Sequence, residues 1–298
     1  MTETQGHGNA YMKILVFGKT GQLATELQRR TPADIALCPL GRNEADLADP
    51  AACARIIDTS GADAIINAAA YTAVDRAETE EPLARRINGE APAAMARAAA
   101  RRDIPFLHVS SDYVFEGTGN SPWRPDDTVC PQNAYGRSKL AGEQGVRAAG
   151  GRHVILRTSW VFSAHGTNFV RTMLRLGAER DRLSIVADQI GGPTPAADIA
   201  ATLLQIAMAF HAGTGRTGTY HFAGAPAVSW ADFARETFRL ARLDVTVEDI
   251  PTAAYPTPAA RPLNSRLDGT TLRDDYGITP ADWRAGLSEV LNELGHLP

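Results

Sequence analysis

Short apolar segments alternate with alanine- and arginine-rich stretches along most of this chain, and this alternation limits its fold more than any other feature. The apolar segments have the length of strands and lie at residues 13–17, 34–38, 63–67, 104–110 and 153–157. The stretches between them have helical length and include residues 50–60, 90–102 and 136–149. Because consecutive parallel strands need a crossover, usually a helix, the pattern predicts an α/β fold: a Rossmann-type, doubly wound parallel sheet.

The first predicted strand runs directly into a glycine-marked turn, GKTGQLA at residues 18–24, and then into a helical stretch. This order is typical of a dinucleotide site, where glycines let the backbone approach a pyrophosphate and the helix N-terminus favours its negative charge. The spacing is G-x-x-G-x-x-A, and Ala24 is small enough for the close packing that a third glycine usually serves. We predict cofactor contacts from Gly18, Thr20 and Gly21; an ordinary strand-to-helix turn is the alternative.

The second predicted strand indicates which dinucleotide is preferred. NAD-selective sites place an acidic residue just after this strand to bind the ribose 2′-hydroxyl, but here none occurs before Glu44. Arg42 lies just beyond the strand and could meet a 2′-phosphate. We therefore predict NADPH as the preferred cofactor, with NADH as an acceptable second one; the alternative is that Arg42 is only a solvated loop residue.

Lysine is rare in this chain, which has 30 basic residues but lysine only at positions 13, 19 and 139. Lys139 completes a Tyr-x-x-x-Lys pattern with Tyr135, which places both side chains on one face of a helix. A phenol has a pKa of about 10, and a nearby ammonium favours the phenolate. We predict that Lys139 lowers the pKa of Tyr135 and contacts the ribose, and that Tyr135 acts as general acid toward a carbonyl substrate.

Small and hydroxyl-bearing residues follow two other predicted strands, at the sheet edge where doubly wound folds bind ligands. Ala68, Ala69 and Ala70 end one strand, and their size would let a nicotinamide ribose lie against the backbone. Ser111 ends another strand, and we predict that it polarises the same substrate oxygen as Tyr135. The alternative for such residues is local capping of a turn.

The last third of the chain departs from the alternation and carries a proline-rich segment at residues 251–262. We assign the NAD(P)-binding domain to residues 12–158, with later contributions from about 182–222. The smaller, C-terminal substrate-binding lobe is assigned to residues 159–181 and 223–298. Residues 1–11 are polar and lack the apolar core of a signal peptide, so they are predicted to be a disordered extension.

Composition excludes several classes of protein. The net charge of −4 gives no basic excess for nucleic acid, and no apolar run reaches membrane-spanning length. Three widely spaced cysteines argue against a disulfide framework and favour a reducing cytoplasm. The histidines do not cluster with cysteines or carboxylates at metal-ligand spacing, so no metal site is predicted.

Motifs along the whole chain resemble the extended short-chain dehydrogenase/reductases and, within them, the dTDP-4-dehydrorhamnose reductases. They are, in order, FGKTGQLATELQ (17–28), NAAAYTAVDRAE (67–78), SSDYVFEGTG (110–119), NAYGRSKLAGE (133–143), RTSWVF (157–162), NFVRTMLRL (168–176), DQIGGPT (188–194) and YPTPAARPLNSRL (255–267). The RTSWVF and RPxNSxL elements narrow the resemblance to this branch.

The resemblance implies an NADPH-dependent reduction of the 4-keto group of dTDP-4-dehydro-β-L-rhamnose. It gives catalytic roles to Tyr135, Lys139 and Ser111, where the family usually has threonine in place of the serine. Positions that match cofactor contacts are Gly18, Gln22, Leu23, Asp46, Leu47, Ala68, Ala69 and Tyr71. Positions that match substrate contacts are Asp112 and Trp160 for the sugar, with Arg261 and Asn264 as candidates for the nucleotide end.

One departure from the family concerns a metal ion. Some members form a dimer around magnesium held by glutamates, and Glu26 matches one such position. Ala197 stands where another glutamate is expected, and a methyl group cannot ligate a hard cation. We therefore favour a monomer over a homodimer and doubt a magnesium requirement. Two other functions stay open: a reductase or epimerase of another nucleotide sugar, and a non-catalytic NADP-binding regulatory subunit of methionine adenosyltransferase.

Overall fold

The structure is a computed structural model that describes residues 11–280 and 282–297. The extension predicted at residues 1–11 lies outside the described residues, apart from Tyr11. The strands are β1 (Met12–Phe17), β2 (Ile35–Leu40), β3 (Ala64–Asn67), β4 (Phe106–Ser111), β5 (His153–Thr158), β6 (Val161–Phe162), β7 (Arg182–Val186), β8 (Ile190–Gly191), β9 (Thr194–Pro195), β10 (Gly218–His221), β11 (Val228–Ser229), β12 (Thr246–Ile250) and β13 (Asn264–Ser265).

Helices connect most of these strands. They are α1 (Gln22–Arg30), α2 (Pro50–Thr59), α3 (Val74–Ala77), α4 (Glu81–Arg85), α5 (Ala91–Arg101), α6 (Ala134–Ala148), α7 (Phe169–Glu179), α8 (Ala196–His211), α9 (Trp230–Ala241), α10 (Thr270–Tyr276) and α11 (Trp283–Glu293). A π-helical segment, Arg86–Glu90, joins α4 to α5. Most predicted elements lie within about two residues of these bounds.

The main sheet contains six parallel strands in the order β2-β1-β3-β4-β5-β10. This confirms the predicted doubly wound, Rossmann-type sheet. The chain reverses its direction of travel across the sheet between β1 and β3, and ligands bind at the carboxyl ends of strands near such a switch point. The loops after β1, β3 and β4 therefore define where a site can form.

Alternation along β1 explains why both faces of this sheet are covered by helices. Ile14 and Val16 pack into one apolar cluster with residues of α8, whereas Leu15 and Phe17 pack into a second cluster with residues of α2 and α5. Successive residues of a strand point to opposite faces, so an uninterrupted apolar strand requires burial on both sides.

Two contacts cross the predicted domain boundaries. β7, at the start of the segment expected to join the cofactor domain, pairs with β12 of the segment assigned to the substrate-binding lobe. Conversely, Leu272 of α10, placed by prediction in the lobe, packs into the cluster beneath the main sheet. The sequence pattern could not show which partner each of these elements contacts.

Among residues 11–280 and 282–297, no helix combines the length and apolar character needed to cross a membrane.

Candidate active site

The turn after β1 has the geometry that a dinucleotide pyrophosphate requires. Gly18 has φ of +120°, a conformation that strongly favours glycine, and a Cβ there would lie 3.4 Å from the backbone of Ala68 and Ala69. Thr20 and Gly21 are exposed, and α1 begins at Gln22 with no side-chain cap. The N–H groups at this helix start are therefore available to an anion.

Several predicted cofactor contacts are restricted to the backbone. The side chains of Leu23 and Leu47 are buried in the apolar clusters on the two faces of the sheet, so these residues can meet a cofactor only through main-chain groups. The Gln22 side chain accepts hydrogen bonds from Ser163 (3.0 Å) and Asn168 (2.9 Å). It thereby ties the glycine turn to the substrate-binding lobe. Asp46 is exposed and accepts a hydrogen bond from the backbone N–H of Ala48.

An anion-binding arrangement lies at the carboxyl end of β2. The Glu44 carboxylate accepts hydrogen bonds from the Gly41 backbone N–H (2.8 Å) and the Lys19 ammonium (3.3 Å). These donors hold the pKa of Glu44 below its usual value. Arg42 is exposed beside them. Lys19 and Arg42 together form a positive edge that fits a 2′-phosphate, while Glu44 is an acceptor that fits a 2′-hydroxyl.

The loop after β3 is fixed by a residue that the sequence analysis did not select. The buried Asn88 side chain accepts from the Tyr71 N–H (2.8 Å) and donates to the Tyr71 carbonyl (2.9 Å). It also donates to the Ser138 hydroxyl, which lies between Tyr135 and Lys139 in the sequence. Asn88 sits in the π-helical segment, and such segments often occur at functional sites. In the sequence, the only sign of this role is a single asparagine among alanine and arginine residues.

Helix α6 carries the predicted general acid and its lysine. Asn133 caps the helix by accepting from the Gly136 N–H (2.7 Å), which places Tyr135 in the first turn and Lys139 one turn later. Gly136 is required here because a Cβ would collide with the Tyr113 carbonyl oxygen. The Tyr113 and Tyr135 rings meet edge to face, with centroids 5.4 Å apart. The helix start is therefore pressed against the loop that follows β4.

The pKa of Tyr135 shifts in the direction opposite to the prediction, and Lys139 is not among the causes of the shift. Burial raises the pKa of Tyr135 well above its usual value, and the Asp112 charge adds to this, while a hydrogen bond with Ser111 opposes it. Lys139 instead donates to the Val109 backbone carbonyl (2.7 Å), and burial lowers the pKa of its ammonium to about 8. A general acid needs a protonated phenol, and the raised pKa keeps Tyr135 in that form. Lys139 stays charged below about pH 8.

Ser111 and Asp112 lie together at the end of β4. The Ser111 hydroxyl donates to Asp112 Oδ1 (2.9 Å) and accepts from the Tyr113 N–H (3.2 Å), so part of the predicted capping alternative is also true. Burial raises the pKa of Asp112 to about 6, although the nearby Ser265 hydroxyl and the hydrogen bond from Ser111 oppose the shift. A carboxyl in this state can accept a hydrogen bond from a sugar hydroxyl at neutral pH.

A buried ion pair holds this edge of the sheet together. Glu143 of α6 accepts hydrogen bonds from both Arg157 Nε (2.8 Å) and Nη2 (2.7 Å), and from the Ser110 hydroxyl (2.7 Å). Arg157 also lies over the Phe115 ring, 4.8 Å from its centroid. The paired charges fix α6 against β4 and β5, and thereby fix Tyr135 and Lys139 relative to Ser111.

Trp160, the second predicted sugar contact, lies between β5 and β6. Its backbone has φ of +49°, and its ring stacks on Trp230 with centroids 3.5 Å apart. A Cβ at Gly191 would lie 2.7 Å from the Trp160 ring, so only glycine permits this contact. A non-glycine residue with positive φ is uncommon and often occurs at functional sites. The indole is therefore held as a fixed flat surface.

The two candidates for the nucleotide end, Arg261 and Asn264, differ in whether their hydrogen-bond donors are free to bind a ligand. Arg261 lies at the mouth of the site, paired with Asp75 (2.6 Å) and 3.3 Å from the Tyr113 hydroxyl. The Asn264 side chain is already hydrogen-bonded: its amide donates to the carbonyls of Thr118 and Ser121, and its oxygen accepts from Arg266. The Asn264 side chain has no donor left for a nucleotide, and it anchors a loop instead.

The carboxylate expected at a magnesium site is present, but its partners do not suit a hard cation. Glu26, His165 and Glu293 bring ligand atoms within 4.8 Å of one another. The Arg29 guanidinium occupies the same space, at 3.3 Å from Glu26 and 2.7 Å from Glu293. A bound arginine already neutralises these carboxylates, and Ala197 adds no ligand, so the residues as arranged do not fit magnesium.

A parallel sheet with a glycine turn at its switch point, and a Ser-Tyr-Lys set at the neighbouring strand end, defines a short-chain dehydrogenase/reductase of the nucleotide-sugar type. The sequence profile described as the RmlD substrate binding domain matches residues 12–296. The chain belongs to this family.

Relatives span nearly the whole chain. A dTDP-4-dehydrorhamnose reductase of Burkholderia thailandensis is 45% identical over 295 residues, covering 95% of this chain and 99% of the relative. The Escherichia coli K12 dTDP-4-dehydrorhamnose reductase is 40% identical over 302 residues, covering 95% and 98%. Among solved structures, the dTDP-4-dehydrorhamnose reductase of Bacillus anthracis in complex with NADP has a TM-score of 0.89 and 34% identity, covering 95% and 99%. A Campylobacter jejuni UDP-Glc/GlcNAc 4-epimerase, at 18% identity and a TM-score of 0.76, shows the fold alone.

Proposed function

We propose that this protein is an NADPH-dependent oxidoreductase that reduces the 4-keto group of dTDP-4-dehydro-β-L-rhamnose to give dTDP-L-rhamnose, the last step of dTDP-rhamnose biosynthesis. The observation that carries the proposal is the convergence of Ser111, Tyr135 and Lys139 at one strand edge, in a chain whose relatives bear that enzyme's name.

The cofactor-binding part of the proposal is supported by the turn after β1 and the edge of β2. Main-chain groups of Gly18, Thr20, Gly21 and the start of α1 would hold the pyrophosphate, and Ala68 to Tyr71 would lie against the nicotinamide ribose. Arg42 and Lys19 would hold the 2′-phosphate, and Glu44 offers the acceptor through which NADH is also accepted. When bound, NADPH supplies the hydride for reduction of the carbonyl carbon.

The chain's own residues supply the proton and the orientation. Tyr135 keeps its proton because burial raises its pKa, and it donates that proton to the developing alkoxide. Ser111 stabilises the same oxygen by a hydrogen bond. Lys139, fixed by Val109, provides a positive charge beside the ribose. Trp160 and Asp112 would orient the sugar, and Arg261 would exchange Asp75 for a diphosphate oxygen.

Replacing Tyr135 with phenylalanine tests the proposal. NADPH oxidation is followed after adding dTDP-4-dehydrorhamnose, with other dTDP-4-keto sugars as comparison substrates. We expect turnover by Tyr135→Phe to fall by about a hundredfold or more while the Kd for NADPH stays unchanged. Undiminished turnover would refute the role of the phenol. Faster turnover of another keto sugar by the unaltered protein would refute the substrate assignment.

We also propose that the protein acts as a monomer in the cytoplasm. Cys38, Cys53 and Cys130 are all free thiols, which suits a reducing compartment. The pairing of Arg29 with Glu26 and Glu293 argues against a dimer bridged by magnesium.

A further inference from the structure

Buried polar atoms that lack a hydrogen-bond partner occur beside the active site. Within the described part of the chain, four buried side-chain polar atoms lack a hydrogen-bond partner: His108 Nε2, Asp112 Oδ2, Thr158 Oγ1 and Ser265 Oγ. Thr158 is the register partner of Ser111 on the neighbouring strand, so it belongs to the same strand edge as Asp112. Burying such an atom without a partner costs free energy, and a water, an ion or a ligand group can supply that partner.

Ser265 faces this side of the active site from the substrate-binding lobe. Its hydroxyl is close enough to Asp112 to lower the pKa of that carboxyl, yet it makes no hydrogen bond of acceptable geometry with it. Ser265 pairs with Gly191, where a Cβ would lie 3.0 Å from Ser265 Cβ and 2.7 Å from the Trp160 ring. The serine is therefore close to both Asp112 and Trp160, the two residues predicted to contact the sugar.

The orientation of Asn264 explains why the hydroxyl of the next residue, Ser265, points toward Asp112. Asn264 and Ser265 are consecutive residues of β13, and consecutive strand residues point in opposite directions. Asn264 points toward the backbone of Thr118 and Ser121, where all of its hydrogen bonds are made. Ser265 consequently points away from that loop, toward Asp112.

We propose that Ser265 binds a sugar hydroxyl together with Asp112, and that it is a specificity-determining residue for the reaction proposed above, on which this inference rests. A hydroxyl can donate one hydrogen bond and accept two. A sugar hydroxyl placed between the two residues would donate to Asp112 Oδ2 and accept from Ser265 Oγ, which satisfies both unpartnered atoms at once. An apolar group could not do so.

The test removes this hydroxyl in the full-length protein with NADPH bound. For Ser265→Ala, we expect the Kd for dTDP-L-rhamnose and the KM for dTDP-4-dehydrorhamnose to rise about three- to tenfold, the range for one lost hydrogen bond. The Kd for dTDP, which carries no sugar, and the Kd for NADPH should not change. The melting temperature should stay the same or rise, because the variant removes an unsatisfied buried group.

Thr237→Val is the matched control, since it also removes a buried hydroxyl from the substrate-binding lobe. The Thr237 hydroxyl donates to the Phe233 carbonyl within α9 (2.8 Å). This variant should leave both sugar-nucleotide constants unchanged. An unchanged Kd for dTDP-L-rhamnose in Ser265→Ala would overturn the inference, as would an equal weakening of dTDP binding accompanied by a lower melting temperature. If the unaltered protein neither binds dTDP-L-rhamnose nor reduces the keto sugar, the proposed function itself fails, and the inference fails with it.

Discussion

The Lys139 ammonium donates its hydrogen bond to the backbone carbonyl of Val109, at 2.7 Å. Val109 lies in β4, two residues before Ser111, so the strand that ends in the serine also fixes the lysine. The charge is thereby positioned by the sheet and does not depend on contact with Tyr135. The pH dependence of catalysis should therefore report the ionisation of Lys139 itself and not that of Tyr135.

Catalytic efficiency should be greatest between about pH 6 and pH 8. Asp112, with its pKa raised to about 6, is ionised above that value, and Lys139, with its pKa lowered to about 8, is charged below it. Tyr135 has a raised pKa and stays protonated throughout this range. The measurement is kcat/KM against pH, which reports the groups of the free enzyme. Asp112→Asn should remove the decline on the acidic side alone, and a profile without a decline above pH 8 would contradict the role of Lys139.

Replacing Asp112 with asparagine should stabilise the folded protein at neutral pH while weakening sugar binding. The folded-state pKa of about 6 is above the usual 3.8, so the folded protein binds the proton more tightly than the unfolded chain. Ionisation of this carboxyl therefore lowers the free energy of unfolding progressively as pH rises from about 4 to about 6, and the loss is complete above that pH. We expect the free energy of unfolding of the variant to rise by about 1–3 kcal/mol at pH 7.5.

Urea unfolding at pH 7.5 and pH 5 checks this stability prediction. The gain from Asp112→Asn should shrink at pH 5, where the folded carboxyl is already largely protonated. An equal gain at both pH values would mean that its cause is not the buried charge.

Cofactor preference should change in opposite directions at two neighbouring positions. Arg42→Ala should lower kcat/KM with NADPH about tenfold or more and leave NADH nearly unaffected, because the guanidinium can meet only the 2′-phosphate. Glu44→Gln should favour NADPH, since it removes the carboxylate that pairs with Lys19. Steady-state kinetics with both cofactors measure these effects, and equal losses with NADPH and NADH in Arg42→Ala would contradict a phosphate contact.

The oligomeric state should not respond to magnesium. The Arg29 guanidinium pairs with Glu293 at 2.7 Å and 2.8 Å, in the space that a cation would need. We expect light scattering to give the mass of one chain both with magnesium and with a chelator. A dimer that forms only with magnesium would show that Arg29 can be displaced, and Arg29→Ala should then strengthen that dimer.

The sequence predicted much of the fold because its local patterns are strong. An apolar run such as residues 13–17 has to be buried on both faces, and the turn that follows it needs Gly18 at a positive φ. The four-residue spacing of Tyr135 and Lys139 likewise places both side chains on one helical face before any tertiary contact is known. These features depend on backbone geometry alone.

Contacts between distant segments could not be predicted in this way. The sequence analysis selected Asn264 for the nucleotide, whereas the structure uses Asn264 to anchor a loop and turns Ser265 toward Asp112. It also missed Asn88, whose importance lies in its hydrogen bonds to Tyr71, 17 residues earlier in the chain. The direction of the pKa shift of Tyr135 was wrong because burial, which depends on how α6 packs, outweighs any charge nearby in the sequence.

The sequence by itself determined the main strands and helices of the cofactor domain and the glycine turn, since each follows from side-chain periodicity or from the conformations that one residue allows. The tertiary structure alone decided where the Lys139 charge is held and which buried polar atoms of the described residues are left without partners. Hydrogen bonding and desolvation depend on neighbours that meet only when the chain folds, and they set the electrostatics of this site.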